Sequence, residues 1–170
     1  MARSRLQQGG RLLRDLGASG ETGVGLEDTM WPLIGEGLVD LVATDHQVCD
    51  GVRLEAAPGH TPGQVAGVVE SGEERAVITG DLVHHPVQFI EPDVPSLADA
   101  DATVAAATRR AFVTRYADTG TLVIGTHFPA PTAGLLRRGG DGAVRFVADH
   151  RRRGVDFRQP FLLDPAERQP

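Results

Sequence analysis

The chain of 170 residues has no lysine, one cysteine, and no apolar stretch long enough to span a membrane. A single thiol, Cys49, excludes an intramolecular disulfide framework and points to a reducing, cytoplasmic setting. Seventeen arginines against 23 acidic residues give a net charge of -6, which argues against nucleic-acid binding through a basic surface. Arg3 and Arg5 are followed by no apolar h-region, so no signal peptide is read. No internal repeat is visible. An apolar share of 41% and a mean hydropathy of -0.16 are those of an ordinary globular domain. The length suits one domain with a real core and is short for two.

Residues 1–25 hold six glycines and few bulky apolar side chains, and are expected to be poorly ordered. Residues 151–170 are expected to form a loose, charged tail. Between them, 26–150 read as a domain. A short helix is expected to end near Gly37, followed by a strand over Leu38–Ala43. Val52–Ala56 alternates apolar and charged residues, as a half-buried strand does. Gln64–Glu70 and Arg75–Thr79 form a hairpin closed by Ser71-Gly72-Glu73-Glu74. A loop with two histidines fills 83–95. Ser96 then offers an N-cap for a helix over Leu97–Ala117. Leu122–Gly125 is a buried strand, and Ala143–Ala148 belongs to a final hairpin. Strands mixed with one long helix make an α/β (α+β) layered domain.

Three phrases carry chemistry. His60 stands in Pro58-Gly59-His60-Thr61-Pro62-Gly63, where glycines permit a sharp turn and the approach of a ligand. Asp81 ends the apolar run Ala76-Val77-Ile78-Thr79-Gly80. His127 follows Leu122-Val123-Ile124-Gly125-Thr126. Each has a bland alternative, a turn histidine or an Asx-turn at a strand exit. The recurrence of one device favours metal ligands, because sheets gather sites at strand ends. His84, three residues past Asp81, is assigned to substrate contact. His46 and His150 read as surface histidines, and Asp99, Asp101 and Asp118 as helix-terminal, solvated charges.

Together the HTPG, TGD and GTH phrases resemble the metallo-β-lactamase fold hydrolases, particularly the lactonase and organophosphate-hydrolase-like branch. The resemblance runs from about Leu26 to Val147. It implies a four-layer αββα sandwich, of which this chain would be the C-terminal half, with two divalent metals, usually zinc, at the strand ends. His60 would complete one metal's histidine set, Asp81 would bridge both metals, and His127 would bind the second. A metal-activated hydroxide would attack an ester, lactone or phosphoester-type bond in a small-molecule substrate. Some relatives place tyrosine where His84 stands.

The family's HxHxDH motif, which supplies four more ligands, does not occur in this sequence. Two alternatives therefore stand beside the hydrolase: a catalytically inactive remnant with an incomplete metal site, and a binding module. In the latter an exposed sheet would pair with a partner, including a second copy of the chain. The upstream DNA is expected to encode an HxHxDH segment in some frame. Sequencing that region checks this, and finding no such segment refutes it.

Overall fold

The computed structural model describes residues 26–149, so the expectations for 1–25, His150 and 151–170 lie outside the described residues. The described residues fall in two units, divided between Ala43 and Thr44. In the first, helix α1 spans Leu26–Gly35. It ends in a Schellman arrangement: Leu38 N donates to Leu33 O, Gly37 N donates to Ile34 O, and Gly37 takes a φ of 69°. The strand expected over Leu38–Ala43 is absent. All of them but the half-buried Val39 are exposed, and among the described residues no strand pairs with them, so their apolar run has no ladder to join.

The second unit is built on a seven-stranded mixed sheet whose strands lie side by side in chain order. They are β1 (Gln47–Cys49), β2 (Val52–Ala56), β3 (Val65–Ser71), β4 (Glu74–Ile78), β5 (Leu122–Ile124), β6 (Ala133–Arg138) and β7 (Val144–Ala148). All neighbours are antiparallel except β4 and β5. Parallel neighbours need a long crossover, here the segment carrying helix α2, Ala102–Tyr116. β2, β3, β4, β5 and β7 fall where the apolar patterning puts them. β6 does not announce itself, since Gly134 and Arg137-Arg138 interrupt its apolar pattern.

Alternation assigns the two faces. Ala66, Val68, Val77, Val123, Leu136 and Val144 are buried in one cluster with Phe112 and Tyr116 of α2 and with Phe89 and Phe128 from the connecting loops. On the other face Val69, Ile78 and Val147 remain at least a third exposed. Helix α2 begins later than expected. Asp101, rather than Ser96, is its N-cap, its Oδ1 accepting from Thr103 N and Val104 N. Ser96 caps a separate turn, accepting from Ala98 N at 3.3 Å. Asp118 stays exposed as expected and accepts from Arg138 N.

The last turn of α2 is tied to β2. Tyr116 Oη donates to Glu55 Oε2 at 2.9 Å, and Arg115 pairs with Glu55 Oε1 at 2.6 Å. Burial first, and then the Glu55 carboxylate, push the Tyr116 phenol up from 10.0 to about 12. The fold thus favours the protonated phenol. That contribution is complete below pH 10.0 and is lost as pH rises through about 12. Tyr116 is the only tyrosine, so ultraviolet titration reads it alone. We expect a midpoint near 12 in the native protein. Glu55→Gln should move it back toward 10.0.

Candidate metal centre

His60, Asp81, His84 and His127 meet at one end of the sheet, and each is placed by a different device. Asp81 and His127 are set by the parallel pair. Ile78 of β4 is opposite Ile124 of β5, and Thr79 N donates to Ile124 O at 3.0 Å. Each ligand-type side chain then follows three residues after its isoleucine. Asp81 lies in a 3₁₀ turn, Gly80–Leu82. Gly125, before His127, is irreplaceable for space: a Cβ there would lie 2.2 Å from the Phe128 ring.

The His60 turn joins β2 to β3. Thr61 O accepts from Gly59 N and Gln64 N, and Ala57 N donates to Gln64 O. Helix α2 holds this turn from outside. Thr108 Oγ1 donates to Pro58 O at 2.7 Å, Asp101 N to Gly59 O, and Ala100 N to His60 O. Gly59 adopts a φ of 134° directly against Ala105, where an added Cβ would be 2.3 Å from Cα.

His84 is fixed through its backbone. The buried Gln88 accepts from His84 N at 2.8 Å and donates to Val94 O at 2.9 Å. His85 turns away, its Nδ1 accepting from Val87 N as the cap of the 3₁₀ turn Pro86–Phe89.

Within the cluster, Asp81 Oδ1 lies 2.6 Å from His127 Nε2, and Oδ2 lies 3.5 Å from His60 Nε2. One carboxylate thus faces two histidines with different oxygens. The His84 ring stacks on His127 at a centroid distance of 4.8 Å and is tilted against His60 at 5.1 Å. Burial, and then the neighbouring His127 and His60, hold the His84 imidazole below its ordinary value, outweighing Asp81 and Asp99. Its neutral form is the one able to ligate a metal. Donor atoms of Asp81, His84 and His127 all lie within 4.8 Å of one another.

This donor set fits a divalent cation. It consists of one carboxylate and imidazole nitrogens, and buried His84 Nδ1 has no hydrogen-bond partner among the described residues. Asp81, His84 and His127 could hold a metal ion between them, and His60 stands across the carboxylate. His84, expected to contact the substrate, lies in this same cluster, with a ring nitrogen within 4.8 Å of the Asp81 and His127 donor atoms.

One assignment needs correction. Asp99 is not a solvated helix-terminal charge: its side chain is 1% exposed. Its Oδ2 accepts from Ser96 N and pairs with the equally buried Arg109, while Oδ1 faces His60 Nδ1 at 3.5 Å. Helical spacing held the clue. Arg109 falls on the buried face of α2 between Ala105 and Phe112, and an arginine there requires a buried counter-charge.

The sequence pattern of the metallo-beta-lactamase superfamily matches residues 17–127, more than half of the chain. The chain belongs to this superfamily. No curated protein matches it. Among solved structures, the hydrolase AbOPH of the beta-lactamase superfamily is 23% identical with a TM-score of 0.66, covering 74% of this chain and 43% of that one. AidC, a dizinc quorum-quenching lactonase, is 23% identical with a TM-score of 0.60, covering 73% and 46%. A probable metal-dependent hydrolase from Staphylococcus aureus is 14% identical with a TM-score of 0.58, covering 68% and 41%. These likenesses establish the fold, a mixed sheet with helices forming part of the metallo-β-lactamase α/β sandwich. The chain spans less than half the length of each of the three. Among the described residues no helix is long and apolar enough to cross a membrane.

Gly59→Ala should cost about 3 kcal/mol, from left-handed strain combined with a backbone clash. Urea unfolding measures it, and a cost below about 1 kcal/mol would show that the turn is not pressed against α2 as described.

Proposed function

We propose that this chain carries the second half of the metal centre of a hydrolase acting on an ester, lactone or phosphoester-type bond, with zinc as the cation. The observation that carries this reading is the convergence of Asp81, His84 and His127, with His60 on the other oxygen of Asp81. Asp81, His84 and His127 would hold one divalent cation; His60 with Asp81 Oδ2 would offer two ligands to a second. A cation there supplies a Lewis acid that polarises a carbonyl or phosphoryl oxygen and makes water a nucleophile near neutral pH.

The protein's own contribution is positional. Asp81 keeps two histidines facing one point, Gln88 fixes the His84 backbone, and helix α2 clamps the His60 turn. The half-exposed Asp81 and His127 leave the cluster open to a small-molecule substrate on one side. The superfamily match and the hydrolases of similar fold support a hydrolytic reading.

The decisive measurement is metal content together with turnover. Purified protein should retain about one zinc per chain, and His127→Ala should lose it while keeping its fold. Zinc-loaded protein should hydrolyse at least one of a lactone, an aryl ester and an aryl phosphotriester, and a chelator should abolish the reaction. Zinc-free protein that takes up none on titration would refute the metal reading. Zinc binding without turnover of any of the three would refute activity of this chain by itself.

A further inference from the structure

The His60 Nδ1 and Asp99 Oδ1 atoms are both buried, and neither has a hydrogen-bond partner among the described residues. They face each other at 3.5 Å. Unsatisfied buried polar atoms are rare, and two that oppose each other at this distance need only a few tenths of an ångström to form a hydrogen bond. We propose that Asp99 is a positioning residue for His60: it accepts from Nδ1–H, fixes that tautomer, and leaves the Nε2 lone pair directed at the Asp81 side of the cluster.

The surroundings of Asp99 suit this role. Its other oxygen is saturated by Ser96 N at 2.9 Å and by the Arg109 guanidinium. Arg109 also donates to Pro92 O and Val94 O, so both partners of the ion pair are held from several sides. Backbone hydrogen bonds from Ala100 to His60 and from Asp101 to Gly59 fix the loop carrying Asp99 against the turn carrying His60. Backbone hydrogen bonds and burial thus set the separation of the two side chains, and neither can swing to water. Asp81 competes for the same ring through Nε2, but it is 38% exposed and its Oδ1 is already engaged by His127 at 2.6 Å. The buried carboxylate has the stronger hold, because a hydrogen bond to a charged group gains strength as the local dielectric falls.

This arrangement makes an isosteric substitution informative. In Asp99→Asn the amide oxygen must remain toward Ser96 N and Arg109, both of which are donors. The amide NH2 is then turned toward His60 Nδ1. A donor now faces that nitrogen, so the ring proton moves to Nε2, the atom that should ligate.

The experiment is a long-range proton–nitrogen correlation spectrum of the histidine rings, recorded without metal at about pH 8.5, above the ordinary imidazole pKa. In the native protein the His60 proton should sit on Nδ1. In Asp99→Asn, with an amide spectrum showing retained fold, it should sit on Nε2, and His127 should be unchanged. A zinc titration followed on the same rings should weaken by roughly ten- to a hundred-fold in the variant, the usual cost of losing a partner that orients a ligand. An Nε2–H tautomer in the native protein would overturn the proposal, and this needs no variant to fold. An unaltered Nδ1–H tautomer in folded Asp99→Asn would do the same. The tautomer measurement stands whether or not the chain binds zinc, so failure of the metal reading and failure of this one are separable.

Discussion

The site depends on one pairing, that of β4 with β5. It is the only parallel strand contact among the described residues, and its register sets Ile78 opposite Ile124. Asp81 and His127 then emerge at equal distances past the same edge, although 46 residues separate them in the chain. An antiparallel arrangement would send the two exits to opposite ends of the sheet. A slip of one residue would turn the side chains of β5 to the opposite face. Burial of Val77 and Val123 in the core opposes that slip, since it would carry Val123 out of the core.

Helix α2 serves the site twice. As the crossover it makes the parallel pair sterically possible, and its apolar face covers the sheet with Phe112 and Tyr116. As a clamp it presses on Gly59, receives Asp101 and Thr108 contacts to the His60 turn, and buries Arg109 against Asp99. Stability and site geometry therefore share residues. A change at Thr108 or Arg109 should reach His60 without touching it.

Much of the fold could be read locally. Val52–Ala56 shows its alternation, the Ser71–Glu74 turn its hairpin, and the runs ending at Ile78 and Ile124 their burial. The three ligand phrases stood out because each combined an apolar strand or turn glycine with a side chain costly to bury. The failures are equally physical. Leu38–Ala43 has strand composition but no partner strand among the described residues. β6 finds its partners despite a weak pattern, because pairing with β5 and β7 satisfies its backbone. Asp99 read as a helix-end charge because nothing nearby in sequence shows that Arg109 and His60 enclose it.

Sequence alone singled out His60, Asp81 and His127 as side chains able to ligate and His84 as a neighbour of the cleft, each at a glycine-bearing turn or strand end. Those are properties of residue type and of the few residues on either side. Tertiary structure decided which of them meet. It gathered His84 with Asp81 and His127, turned His85 into a cap, and buried a carboxylate behind His60. Such outcomes follow from strand register and helix packing over tens of residues, which no local pattern encodes.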